Sequence, residues 1–514
     1  MTWSLAILDD GITNRTQAAA GKTTAFEHDF YDGSADTDQG VADTHGNLVF
    51  QSALQVSSSY AVVDLKVADP VSGSYPDAAI EQSLQYLIDH PELHVAAVNM
   101  SFGGDYYPYA FAGEIATLAA RGVLTVAAAG NYGDEFSLED PLYPGALANV
   151  ITVGSHDGAG NPSWFSQNGR AIDILADGED VPRAGIDGTS FSTPQVTATV
   201  THVQAIVYGL AGHLLDATQM VDALQLGGAG PRSNPDPADG VTRYFLLDHQ
   251  GSMDYAWDHY GGSATRALEY VASYGDLIAA FGADAAAGRR HFERAGSVEE
   301  RAITFDALAY TASYADLIQA FGTDEHASAT HYLTAGLREG RSVGFDGLDY
   351  IASYRDLIAA FGADAEAGAR HFVTAGWREG RVTSFDGLDY IASYDDLVPA
   401  FGANEHAGST HFITAGSAEG RATSFDGLQY IASWDDLITA FGADERAGAI
   451  HFIGNGFAEH RARDTFDAEQ YLANYADLRA AFGDDTEAAT IHYIRYGHAE
   501  HRTDDPTATT DFLL

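Results

Sequence analysis

Residues 188–194 read Gly188-Thr189-Ser190-Phe191-Ser192-Thr193-Pro194. An apolar run follows at helical spacing: Val196, Ala198, Val200, Val203, Ile206 and Val207. The stretch therefore predicts a hydroxyl side chain, Ser190, at the start of a helix. Pro194 fits a first helical turn, where its missing N–H is not needed. Backbone N–H groups and the dipole at a helix N-terminus favour an oxyanion that develops as a hydroxyl attacks a carbonyl. Taken alone, the stretch is open to a plainer reading, because Ser and Thr near Pro often just cap helices.

A nucleophilic serine needs a base, and the base needs a group to orient it. Two distant windows offer both. Leu5-Ala6-Ile7-Leu8-Asp9-Asp10-Gly11-Ile12 reads as a buried strand ending in a carboxylate and a glycine turn. Asp43-Thr44-His45-Gly46-Asn47-Leu48-Val49 is a His-Gly pair opening an apolar stretch. A further window, Val123-Leu124-Thr125-Val126-Ala127-Ala128-Ala129-Gly130-Asn131, is a strand-like run ending in Gly-Asn, and a side-chain amide there can donate to an oxyanion.

These four windows, in this order, resemble the subtilisin-like serine peptidases, whose triad runs Asp, His, Ser along the chain. The resemblance implies that Asp9 orients the imidazole and that His45 is the general base. It implies that Ser190 attacks the scissile carbonyl, and that Asn131 completes an oxyanion hole with the Ser190 N–H. Val98-Asn99-Met100-Ser101-Phe102-Gly103-Gly104 resembles the family's substrate-binding strand. Tyr143-Pro144, Val150 to Gly154, Phe165-Ser166 and Gly169 recur in the same order, so the similarity covers roughly residues 3–228.

The chain also departs from the pattern. The second His usual three residues after the base is Leu48, a small Ala-Gly is replaced by Phe50-Gln51, and the usual His after Pro194 is Gln195. None of these is a triad member. Each chosen residue also has a structural alternative. Asp9 competes with its neighbour Asp10 and is favoured because it directly follows the strand. His45 is one of 20 histidines, and Asn131 is open to a left-handed strand-end role.

The resemblance further implies that Ser101, Phe102 and Gly103 pair with a substrate backbone as an added strand. Ala128, Ala129 and Gly130 would form the other wall of the primary pocket. Small walls suggest a roomy apolar pocket and a preference for large apolar or aromatic residues before the cleaved bond. The remaining runs support an α/β fold. Ala61–Val67, Val95–Val98, Val123–Ala127 and Val150–Val153 are apolar stretches of the kind a parallel sheet buries on both faces. Between them, Ile80, Leu84, Leu87 and Ile88 share one helix face, and Ile115, Leu118 and Ala119 share another. The expected fold class is α/β, a subtilisin-like parallel sheet flanked by helices, followed by a mainly α-helical repeat array.

Residues 1–228 are thus the expected peptidase domain, with 216–224 its last helix. Residues 229–264 follow as a turn-rich linker in which Tyr244–Asp248 is a candidate capping strand. Six repeats of about 40 residues occupy 265–503. Tyr270, Tyr310, Tyr350, Tyr390 and Tyr430 recur every 40 residues, and Tyr471 follows after 41. The consensus is Phe-Asp-x-Leu-x-Tyr-x-Ala-Ser-Tyr-x-Asp-Leu, then Phe-Gly, then His-aromatic and Gly-x-x-Glu-x-Arg. Such units resemble those of large secreted bacterial proteins, including the RTX type. One histidine per unit (His291, His331, His371, His411, His451, His492) gives no chelating spacing and reads as a packed or capping residue. Glu339 and Arg341, with their equivalents, read as a local ion pair or cap. Tyr354 and Trp434 are open to a sugar-binding face or to packing, with helical spacing favouring packing.

The chain has 514 residues, a formal charge of −47, no cysteine, and only two lysines, Lys22 and Lys66. Such acidity argues against nucleic acid as a partner and suits a soluble protein; a saline habitat is another cause. No cysteine means no disulfide and no catalytic thiol. No run approaches a membrane span. Met1 leads into the first strand within a few residues, so no leader and no propeptide is expected. Asp511-Phe512-Leu513-Leu514 resembles the terminal signal of type I export, although the Gly-Gly-x-Gly-x-Asp repeat is missing. The expected location is extracellular, with the cytoplasm as alternative. Catalysis by these residues requires no cofactor and no metal. Structural calcium fits the family, but Asp32, Asp36 and Asp38 complete no calcium loop. The expected activity is endopeptidase cleavage of protein or peptide substrates, the repeats holding a cell surface or polysaccharide. The alternative is a surface or adhesion protein whose peptidase-like domain is inactive or self-cleaving.

Overall fold

The computed structural model describes residues 2–13, 17, 24–35, 37–38, 44–133, 141–167, 169, 171–228, 230–233 and 243–506. Asp36, Asp43, Lys22, most of 229–242 and the terminal Asp511–Leu514 lie outside the described residues. The chain forms two compact units, the first mainly Met1–Phe305 and the second mainly Asp306 onward.

Seven parallel strands form the sheet of the first unit: β1 Ser4–Asp9, β2 Thr24–Asp29, β3 Ala61–Lys66, β4 Val95–Met100, β5 Leu124–Ala128, β6 Val150–His156 and β7 Ile174–Asp177. Their order across the sheet is β2-β3-β1-β4-β5-β6-β7. Strands β1, β4 and β5 are buried at every residue, as expected for apolar runs covered on both faces. Edge strand β2 has only one buried residue, which explains why its polar sequence, Thr-Ala-Phe-Glu-His-Asp, carries no apolar signal. Lys66 at the end of β3 is buried and paired with Asp29 at the end of β2.

Helices α1 His45–Val56, α2 Asp77–Asp89, α3 Ala112–Ala120, α4 Thr189–Ala211, α5 Ala217–Gly227 and α6 His249–His259 cover the sheet. Helix α4 is buried from Phe191 through Val207. Its threonines fit this setting because their hydroxyls bond back one turn: Thr193 to the Thr189 carbonyl at 2.7 Å and Thr197 to that of Thr193 at 2.9 Å. The helix begins at Thr189, so Pro194 is its sixth residue and not, as expected from sequence, part of its first turn. Pro194 therefore removes a hydrogen bond from the helix interior, namely the one to the Ser190 carbonyl.

The first unit extends beyond the stretch expected as a linker. Met253, Ala256 and Trp257 of α6 enter the same core as Val196, Val203 and Ile206 of α4. Tyr270 and Phe292 of the first repeat join that core too. Phe245 and Leu247 flank a parallel bridge between Leu246 and Leu175 on β7, with Leu247 N–H donating to the Leu175 carbonyl at 2.8 Å.

The second unit repeats one motif of three short helices. Gly347–Ala352, Arg355–Phe361 and Ala365–His371 are one set, and the third helix runs into a π-helical turn, Phe372–Gly376. The buried Tyr350 hydroxyl bonds His371 Nδ1 at 3.0 Å. A Cβ at Gly376 would lie 2.1 Å from that hydroxyl, so only glycine fits. The Arg341 guanidinium lies over Tyr314 at 4.9 Å and pairs with Asp316 and Glu339, both at 2.8 Å. Tyr354 hydrogen-bonds the Val382 carbonyl at 2.9 Å, and Trp434 Nε1 donates to the Ala462 carbonyl at 3.1 Å. The repeated histidines, arginines and aromatics thus staple each repeat internally.

Candidate active site

The chain crosses from one side of β1 to the other between β3 and β4. In an open α/β sheet such a switch point opens a crevice at the carboxyl ends of the strands. Asp9 ends β1, Ser101 follows β4, and Asn131 lies just past β5. Three residues far apart in sequence meet at one edge because their strands are neighbours and parallel.

The Asp9 carboxylate is buried and heavily hydrogen-bonded. It accepts from the Asp10 N–H at 2.8 Å, the Tyr75 hydroxyl at 3.1 Å and His45 Nδ1 at 2.8 Å. An ionised carboxylate only accepts, so the shared proton sits on Nδ1 and leaves Nε2 free to act as a base. Burial alone would lower the His45 pKa, but the charge and hydrogen bond of Asp9, with the charge of Asp10, outweigh it and raise the value above 6.5. Asp10 has a different task. Its oxygens accept the N–H groups of His45 at 3.1 Å and Gly46 at 2.7 Å, which caps α1. Burial, then the neighbouring Asp9 charge, raise its pKa. The turn after Asp9 is pinned from below: buried Asp64 accepts from Ile12 N–H at 2.9 Å and Thr37 Oγ1 at 2.6 Å. Burial pushes Asp64 up to about 7.

Ser190 is the second residue of α4, where the helix offers no internal acceptor for its N–H. Its hydroxyl donates to the Ser101 carbonyl at 3.0 Å, and Ser101 Oγ donates to the Ser190 carbonyl at 2.8 Å. Among the described residues no hydrogen bond joins Ser190 to His45. The Phe191 ring, one residue on, lies 5.7 Å from the imidazole. Serine–histidine bonds of free enzymes often tighten only around substrate.

Asn131 is held by its oxygen. Oδ1 accepts from both the N–H and the hydroxyl of Thr189, each at 2.9 Å. That orientation leaves the amide N–H₂ as the group available beside Ser190. Gly188 just ahead of the helix has φ +152°, a conformation that residues with side chains rarely adopt.

Of the two expected substrate walls, Phe102 and Gly103 line a cleft of about 420 Å³ together with Tyr75, Tyr106, Tyr107, Phe111 and Tyr143. Ala128, Ala129 and Gly130 do not line this cleft; all three are buried, and a Cβ on Gly130 would collide with Gln167 Oε1. The replacement residues are accommodated. Leu48 and Phe50 pack in the core behind α1, and Gln195 donates to the Asp177 and Phe191 carbonyls at 2.6 and 2.9 Å. Among the described residues no group of three or more His, Asp and Glu side chains is placed to hold a metal ion, and no calcium ligand is assigned. No helix among them is long and apolar enough to cross a membrane. Sequence reasoning missed Tyr75, the capping by Asp10 and the support from Asp64. A carboxylate two residues ahead of a glycine, itself followed by a second acidic residue, was a visible signal for Asp10; Tyr75 lies in a Ser/Gly/Pro loop that carries none.

Residues 2–232 match the Subtilase family, Peptidase S8. The matched stretch makes up most of the first unit and carries the parallel sheet described above, so this part of the chain is similar to subtilisin-like peptidase domains. Alkaline protease 1 of Aspergillus clavatus is 35% identical over 144 residues, covering 26% of this chain and 34% of its own length. An alkaline proteinase of Hapsidospora chrysogena is 31% identical over 223 residues, 39% of this chain and 54% of its own. Subtilisin Savinase of Lederbergia lenta is 28% identical over 215 residues, 39% and 75% respectively. The chain thus spans about a third and about half of the first two relatives. The crystal structure of a cold adapted subtilisin-like serine proteinase aligns with 48% of this chain and 87% of its own at 24% identity, with a TM-score of 0.38.

Proposed function

We propose that this protein is a serine endopeptidase acting on protein or peptide substrates. The observation that carries the reading is the bond between His45 Nδ1 and buried Asp9 at 2.8 Å, which leaves Nε2 as a base at the crevice that also holds Ser190. Substrate backbone adds to the Ser101–Gly103 edge, and its side chains N-terminal to the cleaved bond enter the aromatic cleft beside Phe102. His45 Nε2 takes the Ser190 proton as Oγ bonds to the scissile carbonyl carbon. Negative charge moves to the carbonyl oxygen, where the Asn131 amide and the Ser190 N–H receive it. The imidazolium passes its proton to the amide nitrogen, the C–N bond breaks, and an acyl-enzyme remains. Water, deprotonated by His45, then releases the acid and restores Ser190.

A fluorophosphonate probe tests this directly. Covalent labelling of the parent chain is expected, and its loss in folded Ser190→Ala. Equal labelling, or none, of the two chains would defeat the peptidase reading.

A further inference from the structure

We propose that Tyr75 is a positioning residue for the Asp9–His45 pair and links it to the substrate cleft. The role rests on the peptidase reading of the same site. The Tyr75 hydroxyl donates to Asp9 Oδ1 at 3.1 Å, the same oxygen that takes His45 Nδ1 at 2.8 Å. Its ring stacks on Phe102, with centroids 4.4 Å apart and planes 21° apart. Both rings form part of the cleft wall. One side chain therefore touches the carboxylate at its tip and the expected substrate edge with its face.

The loop that presents Tyr75 is built for a fixed position. Asp69 N–H donates to the Ser74 carbonyl at 2.8 Å, and Gly73 N–H to the Asp69 carbonyl at 2.8 Å. The Asp69 carboxylate takes Val71 N–H at 2.8 Å and Ser72 Oγ at 2.7 Å. Pro76 then leads directly into α2. Tyr75 is thus held between a knotted loop and a helix start.

The chemistry follows from the donor. A hydroxyl bonded to a carboxylate withdraws part of its charge, so Asp9 holds the imidazolium less tightly than it would alone. It also fixes the rotation of the carboxylate, which must face Nδ1. The other ionisable groups near this centre are Asp10, which caps α1, and Asp64, beneath the turn. Burial and the nearby Asp9 and Asp10 charges push the Tyr75 phenol above its ordinary range, which keeps it a donor at working pH.

The test replaces Tyr75 by Phe, which keeps the ring on Phe102 and removes only the hydroxyl. In the intact chain carrying Ser190→Ala, proton NMR follows the titration of the His45 ring. The expected result is a midpoint higher by about half a unit or more in Tyr75→Phe. With Ser190 present, the acid limb of kcat/KM should move up by the same amount and KM should hold. Tyr75→Ala, which also loses the stack, should raise KM as well. An unmoved His45 midpoint overturns the role. A parent chain without Ser190-dependent hydrolysis would defeat the peptidase reading instead, and the NMR titration would still decide Tyr75.

Discussion

Ser101 and Ser190 exchange hydrogen bonds, each hydroxyl donating to the other's carbonyl, at 2.8 and 3.0 Å. Pro194 explains half of the pair. It has no N–H to give the carbonyl four residues earlier, and Ser101 supplies the missing donor from the end of β4. The backbone of Ser190, the proposed nucleophile, is thereby held by the residue that follows β4. Ser101→Ala should leave the partly buried Ser190 carbonyl without this donor and cost about 1 kcal/mol of stability. In a Pro194→Ala background the restored helical N–H should remove most of that loss. Thermal unfolding of the four chains measures the difference; an equal cost in both backgrounds would contradict the account.

In the proposed mechanism the raised His45 pKa sets the pH dependence of activity. Catalysis needs the neutral imidazole, and Asp9 favours the charged one. The acid limb of kcat/KM should therefore fall at a pH above 6.5, the ordinary value. Asp9→Asn removes the charge, so the His45 midpoint should drop while kcat collapses, because the wrong tautomer is then favoured. A pH–rate series on the parent and an NMR titration of the variant check both statements.

Asn131→Asp separates holding from catalysis. The new carboxylate can still accept both Thr189 bonds, so the start of α4 should stay in place. It no longer donates to an oxyanion and adds a repelling charge. kcat should fall by at least about 10²–10³-fold with little change in KM. A steady-state comparison with the parent on one peptide substrate reads the result.

Much of this was visible in the chain as written, for a physical reason. Central strands are apolar runs because both of their faces are covered, so β1, β3, β4, β5 and β6 declared themselves. Edge strand β2 is half-solvated and did not. Helix α6 alternates His, Gln and Asp with its core residues, and Gly and Pro ahead of it suggested a linker. Asp9, His45, Ser101, Asn131 and Ser190 could be picked out because each sits where a strand or helix ends, in a recognisable order. Tyr75 could not, since its bond to Asp9 crosses 66 residues and depends on how a loop folds. The repeat period was plain, whereas the need for glycine at the end of each π-helical turn was not, since it depends on a tyrosine hydroxyl from an earlier helix packed against it.

The second unit should lose stability as the pH rises through neutrality. Asp349 and Asp389 occupy the same position in successive repeats, and both are buried. Burial pushes each up to about 8; Asp349 is relieved in part by a 2.5 Å bond from Ser409, while nearby Asp386 pushes Asp389 further. Where Ser409 serves Asp349, the residue 40 positions on is Ala449, which offers no hydroxyl to Asp389. Between the ordinary value of 3.8 and about 8, the folded chain binds protons that the unfolded chain has released. Stability from these groups is therefore full in acid and declines through that window as pH rises. Asp389→Asn removes the ionisation and keeps the shape. Its unfolding temperature should match the parent's or fall slightly at pH near 4, and should exceed it at pH near 9. Asp349→Asn should behave alike, with a smaller gain because it weakens the bond from Ser409. Melting curves of the intact chain across pH, followed by helical signal, would expose a wrong sign at once: a variant that loses ground as pH rises means these carboxyls are ionised in the fold.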